Sequence, residues 1–208
     1  MAGRIHIDLF STLDGVAQAP GGPDEDTAGG FAFGGWQAPL IGETDGRQVA
    51  DGMRRMDALL LGRRTYDIFA AYWPQHTDGP DGSIGQKFDA IPKYVASRGD
   101  PALPWTGSQL LGTDLDAAVA GLRERHEEIH VIGSIDFART LVARGLFDQL
   151  NLWVYPIVLG EGKRLFPDDG PALALELLAV EPPSTSGAVL MRYGPGAGVP
   201  ATGDMTAE

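Results

Sequence analysis

The sequence predicts an α/β layer fold whose mixed, mostly parallel sheet has an antiparallel C-terminal edge. Short apolar runs alternate with amphipathic stretches through most of the chain, which is the pattern of strand–helix–strand units. The final strands follow one another without helices between them, as an antiparallel edge requires. A chain of 208 residues with 43% hydrophobic residues can bury one substantial core, so we expect a single domain.

The first half of the chain contains two predicted strands and two predicted helices. Residues 4–10 alternate apolar and polar side chains, and residues 58–62 form a short apolar run typical of a buried strand. Between them, residues 16–35 are rich in Gly, Pro, Ala and Asp and indicate a long loop, which in a compact domain is often functional. Helices are predicted at residues 43–56 and at residues 65–72, with Thr65 as the cap of the second.

The second half continues this alternation and then ends in strands. Residues 73–91 are rich in Gly and Pro and indicate a loop with a helical turn. The remaining strands are predicted at residues 93–97, 109–111, 129–132, 149–159, 174–181 and 188–193, and the remaining helices at 114–126 and 135–144. Residues 1–193 therefore form the predicted domain, and residues 194–208, rich in Gly, Ala, Pro and Thr, form a predicted disordered tail.

Composition and charge exclude several classes of protein. The chain has no cysteine, so it has no disulfide, no thiolate nucleophile and no Cys-based metal site. Charges at Arg4 and Asp8 interrupt the first apolar run, and no stretch approaches the roughly 18 apolar residues that span a bilayer. A net charge of −12 repels phosphate backbones, which argues against nucleic-acid binding. We expect a cytoplasmic protein with no membrane segment.

A candidate phosphate site follows the second predicted strand. Gly62 permits a close backbone approach, the helix after it offers free N–H groups, and Arg63 and Arg64 add positive charge. The alternative interpretation is a tight turn with solvated arginines, because short motifs carry a real risk of false positives.

Two further strand ends carry groups suited to anions. Ser97 and Arg98 end the next strand, where a hydroxyl and a guanidinium suit a phosphate monoester, although an ordinary exposed turn also explains them. Gly133 and Ser134 follow the strand at 129–132, where Ser134 can cap a helix or bind phosphate. Ligands of open α/β sheets bind beyond the carboxyl ends of the strands, so the coincidence of three such ends predicts one shared site.

These motifs resemble those of the dihydrofolate reductase-like superfamily, and within it bacterial proteins similar to the C-terminal reductase domain of the riboflavin-biosynthesis deaminase/reductase. The resemblance runs in family order over almost the whole chain. It implies a three-layer dihydrofolate reductase-like fold, NADPH as cofactor and a homodimer formed through the later strands. The matching segments are residues 11–15, 57–66, 72–74, 95–98, 130–134, 156–162 and 165–166.

The same resemblance implies which residues contact the cofactor. Residues 62–65 would hold the cofactor phosphates, residues 97–98 the adenosine-side phosphate, residues 133–138 the pyrophosphate and nicotinamide, and the turn 14–17 would border the nicotinamide and the substrate. The predicted cofactor-binding set is Ala17, Gly62, Arg63, Arg64, Thr65, Ser97, Arg98, Gly133, Ser134, Ile135, Asp136, Phe137 and Ala138.

The expected activity is an NADPH-dependent reduction of a small heterocyclic, pteridine- or pyrimidine-like substrate. It is similar to that of 5-amino-6-(5-phosphoribosylamino)uracil reductase or dihydrofolate reductase. One departure counts against the riboflavin-pathway substrate: the family's acidic residue before the glycine pair is Ile132 here, and the second glycine is Ser134. The alternatives are a non-catalytic NADP(H)- or nucleotide-binding protein on the same fold, and a flavin-using or structural α/β protein.

Hydride transfer to C=N or C=O needs a proton, and three carboxylates are candidate donors. Glu43 and Asp45 stand where dihydrofolate reductases carry their acid, and Asp14 borders the predicted nicotinamide site. Ordinary helix N-terminal charges, a turn residue, or protonation by water are the alternatives. Trp36 and Phe31 are candidates for a wall of the substrate pocket. The four histidines show no metal-ligand spacing, so we expect no metal site.

Overall fold

The computed structural model describes residues 2–79 and 82–205. Its strands are β1 (Arg4–Thr12), β2 (Ala58–Gly62), β3 (Lys93–Ala96), β4 (Ser108–Leu110), β5 (Glu128–Ile132), β6 (Gln149–Tyr155), β7 (Leu175–Val180) and β8 (Val189–Pro195). Its helices are α1 (Glu43–Met53), α2 (Arg63–Tyr72), α3 (Gly82–Ala90), α4 (Leu115–Arg125) and α5 (Ile135–Ala143), with short 3₁₀ helices at Ala28–Gly30 and Trp73–Gln75.

All eight strands form one sheet in the order β4-β3-β2-β5-β1-β6-β8-β7. The six strands from β4 to β6 pair in parallel. The last two strands, β8 and β7, pair antiparallel at one edge. The predicted fold class, a mixed and mostly parallel sheet with an antiparallel C-terminal edge, is therefore confirmed.

Helices cover both faces of the sheet, which gives three layers. On one face, Ile5, Ile7 and Leu9 of β1 pack with residues of α4 and α5 such as Val119 and Leu141. The opposite face carries two clusters. One packs α1 against β6 and β8, and the other packs α2 and α3 against β2 and β3. Strand side chains alternate between these layers because consecutive residues of a strand point to opposite faces.

The start of α2 differs from its prediction. We predicted a helix from Thr65 with Thr65 as its cap, but the helix begins at Arg63 and its N-cap is Gly62. The strand passes directly into the helix with no loop between them. The hydroxyl of Thr65 is thereby free for a tertiary contact instead of a capping bond.

Residues 73–91 contain more helix than their composition predicts. The chain forms the 3₁₀ helix Trp73–Gln75 and then α3, although glycine normally disfavours a helix interior. Gly85 is required there by packing, because a Cβ at this position would lie 2.1 Å from the carbonyl oxygen of His76. Pro80 and Asp81, inside the segment predicted as loop, lie outside the described residues.

The C-terminal strands also shift relative to their predictions. Strand β6 ends at Tyr155, four residues before the predicted end, and Pro156 follows it. Strand β8 continues to Pro195, two residues into the segment predicted as a tail. Met1 of the predicted domain and residues 206–208 of the predicted tail lie outside the described residues. Among the residues that the structure describes, no helix is long and apolar enough to cross a membrane.

Candidate functional site

The three predicted anion-binding strand ends meet at one edge of the sheet. Strands β3, β2 and β5 are neighbours in the sheet and run in the same direction, so their carboxyl ends lie side by side. Gly62 is paired with Ala96, which places Ser97 one residue beyond the end of β2. The structure therefore brings together the groups that the sequence predicts to form one site.

Hydrogen bonds join the turn after β2 directly to the turn after β5. The Gly62 N–H donates to the Ser134 hydroxyl at 2.9 Å, and the Ser134 N–H donates to the Thr65 hydroxyl at 3.0 Å. Ser134 has a left-handed backbone conformation (φ 57°), as Gly133 before it does (φ 62°). That conformation costs a non-glycine residue about 1–2 kcal/mol. Ser134 makes no side-chain capping bond to α5, because its hydroxyl bonds across to Gly62.

The predicted residues of α5 lie on its first turn beside this junction. Phe137 is close enough to Gly62 that a Cβ at that glycine would lie 3.2 Å from the Phe137 Cβ. Ala138 is buried in the core and Ile135 is half-buried. Asp136 is exposed and forms an ion pair with Arg139 at 2.8 Å. Its carboxylate is therefore directed along the helix surface to an arginine.

The three predicted arginines near this edge of the sheet differ in their acidic partners. Arg63 donates from Nε to both carboxylate oxygens of Asp67, at 2.7 and 2.8 Å. Arg64 lies 3.7 Å from Asp26, a residue of the long loop. Arg98 is exposed, and among the described residues it has no acidic partner within ion-pair distance. Arg98 is therefore the guanidinium most available to an external anion.

The long loop 16–35 is attached to the segment that follows β6. Val16 forms an isolated antiparallel bridge with Arg164, and the Ala17 N–H donates to the Lys163 carbonyl at 2.8 Å. Because Asp26 of the same loop contacts Arg64, the loop extends across the carboxyl edge from β1 towards β2. The long loop and the turns after β2 and β5 thus lie along the same carboxyl edge of the sheet, and we call the space between them the cleft.

Asp14 acts as an anchor in this structure. Its carboxylate accepts hydrogen bonds from the Thr12 hydroxyl (2.6 Å) and from the N–H groups of Gly160 (2.8 Å) and Leu159 (3.2 Å). Burial by itself raises the pKa of Asp14, but these hydrogen bonds outweigh it and lower the pKa to about 2. A carboxylate that is ionised at neutral pH and fully engaged holds a turn and has no proton to donate.

Glu43 and Asp45 occupy opposite environments although both begin α1. The Glu43 side chain is 86% exposed and pairs with Arg47 one turn later on the helix surface. Asp45 is completely buried, and its Oδ2 accepts the Gly42 N–H at 2.8 Å. Its Oδ1 is also buried and has no hydrogen-bond partner within the described part of the chain. A buried oxygen without a partner costs free energy, so it commonly marks a functional site.

Tyr155 and Gln37 lie beside Asp45 and complete a buried polar group. The Gln37 side-chain amide donates to the Tyr155 hydroxyl at 2.9 Å. Burial raises the pKa of Tyr155 to about 12; the Gln37 hydrogen bond opposes this rise and the Asp45 carboxylate adds to it. The phenol therefore keeps its proton at neutral pH and lies beside the Asp45 carboxylate.

The two aromatic residues predicted for a substrate pocket are buried. Trp36 packs edge-on against Tyr155 with 5.7 Å between ring centroids, and its indole N–H donates to the Gln18 carbonyl at 2.8 Å. Phe31 packs against Phe33 and lies where a Cβ on Gly162 would fall, 2.9 Å from its ring. Trp36 thus connects the long loop to the polar group around Asp45.

Sequence reasoning missed a buried polar cluster on the same sheet face. The parallel register pairs His6 with His130, and their rings stack with 4.8 Å between centroids. Asp8 Oδ2 lies 2.6 Å from His130 Nδ1, and Asn151 donates to Asp8 Oδ1 at 2.7 Å. With Glu128, the two histidines place potential ligand atoms within 4.8 Å of one another. Spacing along the chain could not reveal this, because the contacts depend on strand pairing.

Comparisons with known proteins agree with this architecture. The RibD C-terminal domain family model matches residues 4–186. The protein YyaP of Bacillus subtilis (strain 168), which is uncharacterized, is 27% identical over 179 residues, covering 84% of this chain and 86% of YyaP.

Two solved structures show the same fold at low identity. The putative riboflavin biosynthesis protein from Shewanella sp. PV-4 superposes with a TM-score of 0.68 at 20% identity, covering 94% of this chain and 99% of that one. Dihydrofolate reductase from Enterococcus faecalis, complexed with NADP(H), superposes with a TM-score of 0.57 at 14% identity, covering 94% and 98%. The fold is therefore dihydrofolate reductase-like, and the chain belongs to the RibD C-terminal domain family.

Proposed function

We propose that this protein is an NADPH-dependent reductase that acts on a small heterocyclic, pteridine- or pyrimidine-like substrate. The observation that carries the proposal is the joining of two strand-end turns at Gly62 and Ser134, within a cleft that also borders Ala17. The family and the fold of an NADP(H)-bound neighbour support it.

The residues present fit a dinucleotide phosphate. The N-terminus of α2 offers backbone N–H groups beside Arg63 and Arg64, and the strained conformation of Ser134 is the kind that accumulates at ligand sites. In this proposal residues 62–65 and 133–138 hold the pyrophosphate, and Ser97 and Arg98 hold the adenosine-side phosphate. When bound, the reduced nicotinamide supplies a hydride to the carbon of a C=N or C=O bond.

The chain's own contribution to the chemistry is a proton at the nitrogen or oxygen of that bond. We assign this role to Asp45, because this carboxylate is completely buried beside the Tyr155 phenol and its Oδ1 meets no hydrogen-bond criterion with any described residue. The Asp14 carboxylate is committed to four hydrogen bonds, one of them from Arg164, and Glu43 is exposed to solvent. Tyr155, which accepts a hydrogen bond from Gln37, lies beside the carboxyl group, and these two side chains would offer polar contacts to a flat, nitrogen-rich ring.

Binding of NADPH and NADH to Arg98→Ala tests the cofactor assignment. We expect the variant to weaken NADPH binding about 10- to 100-fold, because a charge-assisted contact to phosphate is worth about 1.5–3 kcal/mol. The affinity for NADH, which lacks the 2′-phosphate, should fall less than about threefold. Dissociation constants from tryptophan fluorescence titration provide the measurement.

Arg4→Ala is the matched control for that experiment. Arg4 is exposed at the amino end of β1, on the opposite edge of the sheet, and its removal changes the net charge equally. Equal losses of affinity for NADPH and NADH in Arg98→Ala contradict a 2′-phosphate contact. Equal losses of NADPH affinity in Arg98→Ala and Arg4→Ala contradict it as well. A substrate panel followed by NADPH absorbance then distinguishes a reductase from a protein that only binds the cofactor.

We also propose that the protein is a homodimer formed through its antiparallel edge. Leu177 and Val180 of β7 are 55% and 54% exposed, and they pair with Tyr193 and Met191 of β8 on the same face. Val180→Glu should convert the dimer to a monomer at micromolar concentration, since burying an unpaired charge is costly. Light scattering after size exclusion measures the mass.

Val199→Glu, a substitution at another exposed apolar side chain outside the sheet, should leave the mass unchanged. A wild-type chain that is monomeric at about 50 μM, a concentration at which micromolar interfaces associate, contradicts the dimer. So does a Val180→Glu variant that stays dimeric.

A further inference from the structure

Two basic side chains from different parts of the cleft converge on one carboxylate. Asp26 Oδ2 lies 2.5 Å from the Lys163 ammonium and 3.7 Å from the Arg64 guanidinium. Arg64 lies in the first turn of α2, whereas Lys163 belongs to the segment after β6. The Asp26 side chain is only 15% exposed, so the carboxylate sits inside the cleft.

We propose that Lys163 and Arg64 form an anion site for a phosphate group of the dinucleotide, and that Asp26 fills this site when the cofactor is absent. The proposal rests on the proposed function and adds two elements to it. Lys163 becomes a phosphate-binding residue, and Asp26 becomes a built-in competitor for that position.

The backbone around Asp26 is held independently of the two cations. The Gln18 side-chain amide donates to the carbonyls of Asp26 and Ala28, both at 2.9 Å, and its oxygen accepts the Lys163 N–H at 3.0 Å. Asp26 Oδ1 accepts the Ala28 N–H at 3.1 Å. One glutamine thus holds the backbones of Lys163 and Asp26 beside each other, so the position of Lys163 does not depend on its ion pair with the Asp26 carboxylate.

The position of this site suits a phosphate. On one side it borders the turn after β2, which carries Arg64. On the other side it borders Ala17, whose N–H donates to the Lys163 carbonyl. The pyrophosphate of the dinucleotide carries two negative charges, so it balances two cations better than a single carboxylate does, and it accepts more hydrogen bonds. The like charge of Asp26 also repels an approaching phosphate, so binding requires the carboxylate to be displaced from Lys163.

Substitution of Asp26 by asparagine removes the competing charge and keeps Oδ1 for the Ala28 N–H. We expect the dissociation constant for NADPH to fall about fivefold, as expected for a partly exposed ion pair that no longer has to be broken. Lys163→Met should raise it about tenfold. Asp24→Asn is the matched control, because Asp24 is exposed on the same loop and its replacement changes the net charge equally.

Titration with NADPH and, separately, with inorganic pyrophosphate distinguishes failure of this inference from failure of the proposed function. Tighter binding of either probe by Asp26→Asn than by Asp24→Asn, with weaker binding by Lys163→Met, supports the anion site. Equal affinities in the two asparagine variants, or weaker binding by Asp26→Asn, overturn it. If the wild-type chain binds pyrophosphate but not NADPH, the reductase proposal fails while the anion site is still judged by the variants.

Discussion

Asp45→Asn is expected to lower kcat about 100-fold or more once a reducible substrate is identified, because a positioned general acid contributes about 10²–10⁴ in rate. The dissociation constant for NADPH should change less than about twofold, since Asp45 lies on α1, away from the phosphate-binding turns. Steady-state kinetics and fluorescence titration measure the two quantities separately.

Glu43→Gln is the matched control, because it removes one charge from the same helical turn at an exposed side chain. We expect its kcat to stay within about twofold of the wild-type value. Asparagine at position 45 can still accept the Gly42 N–H, so the start of α1 is preserved. A kcat for Asp45→Asn within about threefold of wild type means that water protonates the product and Asp45 is structural.

The free energy of unfolding is expected to fall by about 3 kcal/mol between about pH 7.5 and pH 4 because of His6 alone. Burial, reinforced by the neighbouring His130 and opposed by Asp8, lowers the pKa of His6 from 6.5 to about 4. In this interval the unfolded chain binds a proton that the folded chain excludes. Acidification therefore favours unfolding, and the loss is complete once the pH falls below the folded pKa.

His6→Phe isolates this contribution, because a phenyl ring can stack on His130 without titrating. Urea unfolding of this variant should show a pH dependence flatter than that of the wild type by about 3 kcal/mol over the same interval. His76→Gln, at a histidine whose Nδ1 contacts the Tyr72 carbonyl, should keep the wild-type pH dependence. Parallel profiles for His6→Phe and wild type contradict a buried, neutral His6.

Asp8 makes the free energy of unfolding fall further at still lower pH. Burial alone raises its pKa, but the charge and hydrogen bond of His130 and the Asn151 hydrogen bond lower it below the ordinary value. Stability from this group is present above its unfolded pKa and is lost as the pH falls through the folded pKa.

The sequence by itself determined the fold class and predicted that the candidate anion-binding groups share one edge of the sheet. Apolar runs such as Leu59–Leu61 identify buried strands through local pattern, and glycine with arginine directly after them identifies ligand-facing ends. These features could be predicted because each depends on neighbours along the chain, and because parallel strands share an edge. Several element ends moved, such as those of α1, β6 and β8, and α3 formed where mainly loop was predicted.

Tertiary structure alone decided the environments of the three candidate carboxylates. The sequence offers Glu43, Asp45 and Asp14 as candidates and favours Asp14 for lining the site. In the structure Glu43 is exposed, Asp45 is completely buried, and the Asp14 carboxylate is held by hydrogen bonds. The His6–His130 stack and the Asp26–Lys163 pair join residues more than 120 positions apart. Burial, strand register and long-range charge pairing depend on how separate segments pack together, and local sequence patterns do not encode that packing.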